Sequence, residues 1–256
     1  MVKGLKPTSS YFLSQVFWRI LRKILNKKLW TFFYRLSQKI KMRNLISNFS
    51  KNDFKLVENL DYPQFSNTSN EDQKFSHYLN LFKSSKPLGE YRNFLDTIFK
   101  DIKDNVRTIL ELGVSEGAGI NALKKYFYKS LIWGIDIDKD TFFEDERVVK
   151  FDVADQLKIK TLQLSAKKFN TKFDLIIDDG WHHPESQVNS LMAFLPYLNR
   201  GGLYIVEDIV HDQYFKYFSK IIDHLKKKEF SITYRNFQIK GSDISNNLGY
   251  LFIRRN

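Results

Sequence analysis

The 256-residue chain contains no cysteine, which excludes disulfide staples, thiolate nucleophiles, cysteine-held zinc and iron–sulfur clusters. Proline and glycine are sparse, at 5 and 11 residues, so a collagen-like or low-complexity chain is also excluded. No uncharged run exceeds the 14 residues Ser186–Asn199, short of the roughly 20 apolar residues a membrane-spanning helix needs. The apolar stretch Tyr11–Trp18 runs straight into Arg19 without a small-residue cleavage pattern. A secretory signal therefore reads poorly, and a cytoplasmic location is expected. With 43% hydrophobic and 16% aromatic residues, there is ample material for one α/β core with an appendage.

Acidic residues are scarce in one region only. Residues 1–60 hold 13 Lys/Arg against Asp53 and Glu58, a net +11 of the chain's +12. The other 196 residues hold 28 basic and 27 acidic side chains. The total charge invites a polyanionic partner, but its distribution describes a nearly neutral body with a basic arm. From Tyr11 to Met42 there is no Gly or Pro, and apolar residues recur at helical spacing through Phe17, Leu21 and Ile24, then Leu25, Leu29, Phe32, Leu36 and Ile40. One or two amphipathic helices fit, although Lys28 and Arg35 fall inside the drifting stripe. Such an arm packs on the body or on a second subunit in a homo-oligomer, or residues 11–42 lie on an anionic membrane as a peripheral anchor. Its basic residues alternate with large aliphatics instead of forming a polar basic face, which argues against nucleic acid.

Asp61–Asn70, rich in Asn, Ser and Pro, reads as a linker. Helical periodicity resumes through Phe75, Tyr78, Leu79 and Phe82, and again through Tyr91, Phe94, Leu95 and Ile98. Three segments follow: the arm over 1–60, a linker with lead-in helices over 61–105, and a body over 106–256. In the body, short β-rich runs alternate with helical stretches. The strands are expected at Thr108–Leu112, Leu131–Asp136, Val148–Asp152, Phe173–Asp178, Leu203–Glu207, Ser231–Phe237 and Tyr250–Arg254. The connection between the last two is too short for a helical crossover, so they pair antiparallel. The expectation is a Rossmann-like, doubly wound, seven-stranded α/β sheet, mostly parallel with an antiparallel last strand, its polar residues gathered at the carboxyl ends of the strands.

The first of these ends reads Glu111-Leu-Gly113-Val-Ser-Glu116-Gly117-Ala-Gly119, passing from a strand through a glycine turn into a helix. A pyrophosphate turn offers backbone N–H groups to an anion, whereas acidic residues before and within this one favour a cationic ligand. Twenty-five residues after Glu111, the second strand ends in Asp136, where a carboxylate can accept both hydroxyls of a ribose. Asp152, at the end of the third strand, stands where an adenine edge would lie. The pattern resembles the class I S-adenosylmethionine-dependent methyltransferases. The resemblance implies a cofactor site of Glu111, Gly113, Gly117, Gly119, Asp136 and Asp152.

The fourth strand ends Asp178-Asp179-Gly180-Trp181-His182-His183-Pro184, and the fifth ends Glu207-Asp208. If the strands are neighbours, four carboxylates meet, and they require protonation or a cation. Oxygen-only ligands select a hard divalent ion, with Mg²⁺ suited to several retained waters. These motifs are similar to those of the metal-dependent macrocin and mycinamicin sugar O-methyltransferases and the related cephalosporin hydroxylase family. That resemblance implies Mg²⁺ on Asp179, Glu207 and Asp208, and His182 as general base. His183 competes for the role. Lys74-Phe-Ser-His77-Tyr78 is similar to a family stretch beside the cofactor, which adds Tyr78 to the cofactor site. The family often has Ser where Trp181 stands. The implied reaction is Mg²⁺-assisted methyl transfer from S-adenosylmethionine to a hydroxyl of a sugar, glycan or natural-product acceptor. A catechol-type or other small-molecule O-methyltransferase is the enzymatic alternative, and a binding protein that keeps the fold without turnover is the other.

Overall fold

The computed structural model describes residues 27–51, 73–209, 212–238 and 247–256. The start of the arm and the expected linker Asp61–Asn70 lie outside the described residues. The chain divides into two compact units, residues 1–45 and 46–256. Helix α1 (Lys27–Lys51) begins in the first and continues into the second. With no Gly or Pro in its 25 residues, it runs past Met42 without a break. Three residues of the expected apolar stripe, Leu29, Leu36 and Ile40, are 46%, 42% and 52% exposed. The stripe is therefore not a buried face along its length. No described helix is long and apolar enough to cross a membrane.

The larger unit is built on a seven-stranded sheet. Its strands are β1 (Thr108–Leu112), β2 (Leu131–Asp136), β3 (Val148–Val153), β4 (Phe173–Asp178), β5 (Leu198–Ile209), β6 (Phe230–Gln238) and β7 (Asn247–Arg255). They lie in the order β3-β2-β1-β4-β5-β7-β6. All pairs from β3 to β5 are parallel, and β7 runs antiparallel to both β5 and β6. The helices are α2 (Phe75–Leu81), α3 (Glu90–Lys100), α4 (Ala118–Tyr126), α5 (Ile159–Phe169), α6 (Pro184–Phe194) and α7 (Asp212–Leu225). This is the expected Rossmann-like sheet with its antiparallel last strand. β5 starts five residues earlier than expected, because Gly201, at φ +74, carries the strand through an irregularity opposite Phe173–Leu175 instead of ending it.

Strand β1, Thr-Ile-Leu-Glu-Leu, is buried at every position, as a central strand covered on both faces must be. Successive side chains alternate between the faces. Ile109, Ile132, Leu175, Ile177, Leu203 and Ile205 share one core with Phe75, Leu79, Leu95 and Phe99 of α2 and α3. The lead-in helices thus cover one face of the sheet. Ser76 fastens them together, its N–H and hydroxyl donating to the Asp96 carboxylate at 2.7 and 2.6 Å. At the amino ends of the strands, Asp174 accepts from Arg107 N at 2.8 Å, Thr108 N at 3.1 Å and Asn199 Nδ2 at 2.7 Å. This ties β1, β4 and β5 in register and leaves their opposite ends free for the site.

Candidate active site

The strand order reverses between β1 and β4, so the chain leaves the two strands in opposite directions and opens a crevice at their carboxyl ends. A cavity of about 830 Å³ lies there, lined by Glu111, the Gly113–Gly119 turn and Asp136 on one side and by Asp179, Trp181 and His182 on the other. That volume lies within the range of small-molecule sites.

The glycine turn is held by geometry only glycine permits. Gly113 has φ +89, and a Cβ there would lie 2.3 Å from the Asp179 carbonyl oxygen and 2.6 Å from Gly180 Cα. Its N–H donates to Ile135 O at 2.8 Å, and Asp179 N donates to Leu112 O at 2.9 Å. The turns after β1 and β4 therefore touch backbone to backbone. A Cβ at Gly119 would strike the Glu111 carboxylate at 2.3 Å, so this glycine gives that side chain its space. Glu111 is buried, and burial raises its pKa to about 8, with nearby Lys86 opposing the shift and Asp179 adding to it. Asp136 accepts from Ser115 N at 3.0 Å and Asp138 N at 2.9 Å. Those two bonds fix its carboxylate over the turn.

Of the residues expected at the cofactor site, Glu111, Gly113, Gly119 and Asp136 line this cavity. Gly117 stands just outside the lining, at the start of α4 with φ +77, where a Cβ would meet the Phe143 ring at 2.6 Å. Two expectations are corrected. Asp152 turns away from the cavity, accepting from Ser165 Oγ at 2.8 Å and pairing with Lys168 at 2.5 Å on α5. The residues that line the cavity beyond this strand end are Ala154, Asp155 and Gln156. Tyr78 is 3% exposed and packs edge-on against Tyr126 in the core; the apolar stripe of α2 buries it.

At the acidic end, period-two alternation carries Glu111, Asp179 and Glu207 to the face covered by α2 and α3. Asp178 points the other way. It accepts from Gln156 Nε2 at 2.8 Å, and its burial raises its pKa to about 7. The expected gathering of four carboxylates therefore excludes Asp178. Asp208 would follow Asp178 by alternation, but β5 is irregular between Val206 and Ile209 and Asp208 takes φ +51. This left-handed bulge returns its carboxylate to the cluster, where it accepts from Tyr250 Oη. Non-glycine residues adopt that conformation only when their surroundings enforce it. Asp208 lies 3.5 Å and Asp179 3.9 Å from His182 Nε2. His183 instead caps α6, its Nδ1 accepting from Glu185 N at 3.3 Å, ahead of Pro184 at the first helical position.

The sequence reading missed the cation of this cluster. Lys86, on the loop between α2 and α3, donates to Asp179 Oδ2 at 2.6 Å and to both Glu207 oxygens at 2.8 Å. Its side chain is 3% exposed. Burial works to lower the Lys86 pKa, yet Asp179, Glu207 and Glu111 outweigh it and raise the value above that of a free lysine. The Glu207 carboxylate is pushed up by its own burial and by Asp179, and its backbone carbonyl accepts from Gln187 Nε2 at 2.7 Å.

No family model matches the chain. Among curated proteins, it is 31% identical over 121 residues to the demethylmacrocin O-methyltransferase of Streptomyces fradiae, covering 44% of this chain and 30% of that one. It is 33% identical over 118 residues to the 8-demethyl-8-alpha-L-rhamnosyl tetracenomycin-C 2'-O-methyltransferase of Streptomyces olivaceus, covering 43% of this chain and 31% of the relative. The match thus spans about a third of the length of these relatives. Among solved structures, the MycE methyltransferase of the mycinamycin biosynthetic pathway, in complex with Mg and SAH, superposes with a TM-score of 0.58 at 20% identity. That superposition covers 72% of this chain and 55% of MycE. The chain therefore resembles sugar O-methyltransferases in sequence, and a methyltransferase of that kind in fold.

Proposed function

We propose that the chain is an S-adenosylmethionine-dependent O-methyltransferase whose acceptor is a hydroxyl of a sugar on a natural product. One observation carries this reading: a single cavity joins Asp136 and the Gly113–Gly119 turn to Asp179 and His182. Asp136 would receive the ribose hydroxyls on the lone pairs that Ser115 and Asp138 leave unused, and the glycine turn would admit the ligand close to the backbone. Glu111 and Asp179 suit the cationic end of such a ligand. The relatives support the acceptor class, because their names put the methyl on rhamnosyl or olivosyl hydroxyls.

The reaction requires the hydroxyl oxygen to bond to the sulfonium methyl as the carbon–sulfur bond breaks, releasing S-adenosylhomocysteine and one proton. His182 Nε2 faces the cavity end between Asp179 and Asp208 and would take that proton, the two carboxylates stabilising the imidazolium that forms. Asp179 and Asp208 each bring one ligand oxygen, and His182 a ring nitrogen, within 4.8 Å of one another, and carboxylate oxygens are the kind Mg²⁺ prefers. The donor set fits a divalent cation in kind. Asp179, Glu207 and Asp208 would hold it, and when bound it would lower the pKa of a coordinated acceptor hydroxyl.

The test is calorimetric titration with S-adenosylmethionine, followed by mass-spectrometric detection of methyl transfer to a panel of rhamnosides and deoxyhexosides, with Mg²⁺ or with EDTA. Micromolar cofactor binding and methyl ethers formed only with Mg²⁺ are expected. Absence of cofactor binding would refute the activity, and full turnover in EDTA would refute the metal's part in it.

A further inference from the structure

The carboxylates proposed for Mg²⁺ already hold a cation, and it belongs to the chain. Lys86 Nζ sits between Asp179 and Glu207 at 2.6 to 2.8 Å, the span of charge-assisted hydrogen bonds. A divalent ion drawing on the same oxygens of Glu207 would stand against the ammonium, whose like charge opposes it there. The placement of Lys86 is built in. Arg92 on α3, itself 5% exposed, donates from Nε at 3.1 Å and Nη2 at 2.6 Å to the Lys86 carbonyl, and from Nη2 at 2.9 Å to the Ser84 carbonyl. Its Nη1 binds Asn80 Oδ1. One buried guanidinium thus fastens the loop that delivers the ammonium. Residues Lys83–Lys86 also line the cavity that holds Glu111 and Asp136, so a movement of this loop reaches the proposed cofactor site.

We propose that Lys86 and the divalent cation are alternative occupants of the Asp179–Glu207 seat, so that metal binds only as Lys86 and its loop withdraw. The proposal rests on the reading of Asp179, Glu207 and Asp208 as metal ligands. With the two occupants mutually exclusive, the apparent metal affinity of the native chain falls by the fraction of molecules in which the seat is open. If the seat is open in a tenth of them or fewer, removing the ammonium tightens metal binding at least tenfold. Without metal, the same removal takes the ammonium from buried Glu207 and from partly buried Asp179, so the variant depends on the ion for its stability.

The experiment titrates Mn²⁺, read by electron paramagnetic resonance, into the full chain and into Lys86→Met. It also records thermal unfolding in EDTA and with excess Mg²⁺, and hydrogen exchange of the 83–89 segment of the native chain with and without metal. Three results are expected: Lys86→Met binds Mn²⁺ at least tenfold more tightly, Mg²⁺ raises its melting temperature more than that of the native chain, and native exchange over 83–89 rises on metal binding. Equal affinities with an unmoved loop would overturn the competition while leaving the metal reading intact. Metal binding by neither chain would overturn both. Should Lys86→Met fail to fold, the native chain decides alone: faster exchange over 83–89 at metal saturation supports the proposal, and unchanged exchange overturns it.

Discussion

Gly113→Ala probes the contact that joins the two halves of the site. Two costs arise at this position. An alanine held at φ +89 is strained by about 1–3 kcal/mol, and its Cβ would stand 2.3 Å from the Asp179 carbonyl oxygen and 2.6 Å from Gly180 Cα. Those neighbours are backbone and cannot rotate away, so relief requires the turns after β1 and β4 to part, at about 1–3 kcal/mol more. Gly201→Ala isolates the first cost, since Gly201 has φ +74 with nothing within 4 Å of its added Cβ. Both changes restrict the unfolded chain equally, so that contribution cancels between them. At roughly 2–4 °C per kcal/mol for a chain near this size, Gly113→Ala is expected to melt several degrees below Gly201→Ala. It also loses S-adenosylhomocysteine affinity by calorimetry, while Gly201→Ala keeps it. Equal melting shifts and intact affinity in both variants would refute the argument that the β1 and β4 turns are in obligatory contact.

Asp136→Ala is expected to weaken cofactor binding beyond detection by calorimetry, because the Ser115 and Asp138 amides then lose the acceptor that orders the turn. Asp152→Asn is expected to leave cofactor affinity within about twofold, at a stability loss under about 1 kcal/mol, since its pair with half-exposed Lys168 is solvent-screened. Burial works to raise the Asp152 pKa, but Lys168 and Ser165 hold it below the ordinary value of 3.8. The loss therefore appears in urea titrations at neutral pH and disappears as the pH falls through that depressed value. His182→Ala is expected to slow methyl transfer by about 10²–10⁴-fold with cofactor affinity retained. His183→Ala keeps turnover and lowers stability by about 0.5–2 kcal/mol through the lost cap; the reverse pattern in single-turnover assays would exchange their roles.

The sheet was legible because its strands are dense apolar runs, and each site carboxylate lies within two residues of such a run's end. Where the reading failed, a local rule was available for some residues and absent for others. Tyr78 belongs to the same helical stripe as Phe75 and Leu79, so its burial follows from the periodicity that located the helix. Asp178 and Asp179 must face opposite sides of the sheet, because side chains in a strand alternate, and one of the pair had to leave the cluster. Asp152 fails for the same reason: it lies within a strand that continues to Val153, and its orientation follows the pleat into α5.

Lys86 had no such signal. Its contacts join residues 93 and 121 positions apart, and nothing in Lys-Ser-Ser-Lys-Pro distinguishes one lysine of a basic chain from another. The structure singles it out through Arg92, whose hydrogen bonds close over six, eight and twelve residues yet matter only because the loop lies over β4 and β5. Asp208 is the converse case, where strand alternation points the wrong way. A bulge and a left-handed backbone turn it back toward Tyr250, a residue 42 positions later in the antiparallel strand β7. The two features the sequence hid are thus the two that require the assembled sheet: a lysine brought over its face by the lead-in helices, and a carboxylate re-aimed by the irregular pairing of β5 with β7. Both act on the same acidic seat. The chain's large basic excess lies mostly elsewhere, and the cation that matters at the site is a single lysine of the nearly neutral body.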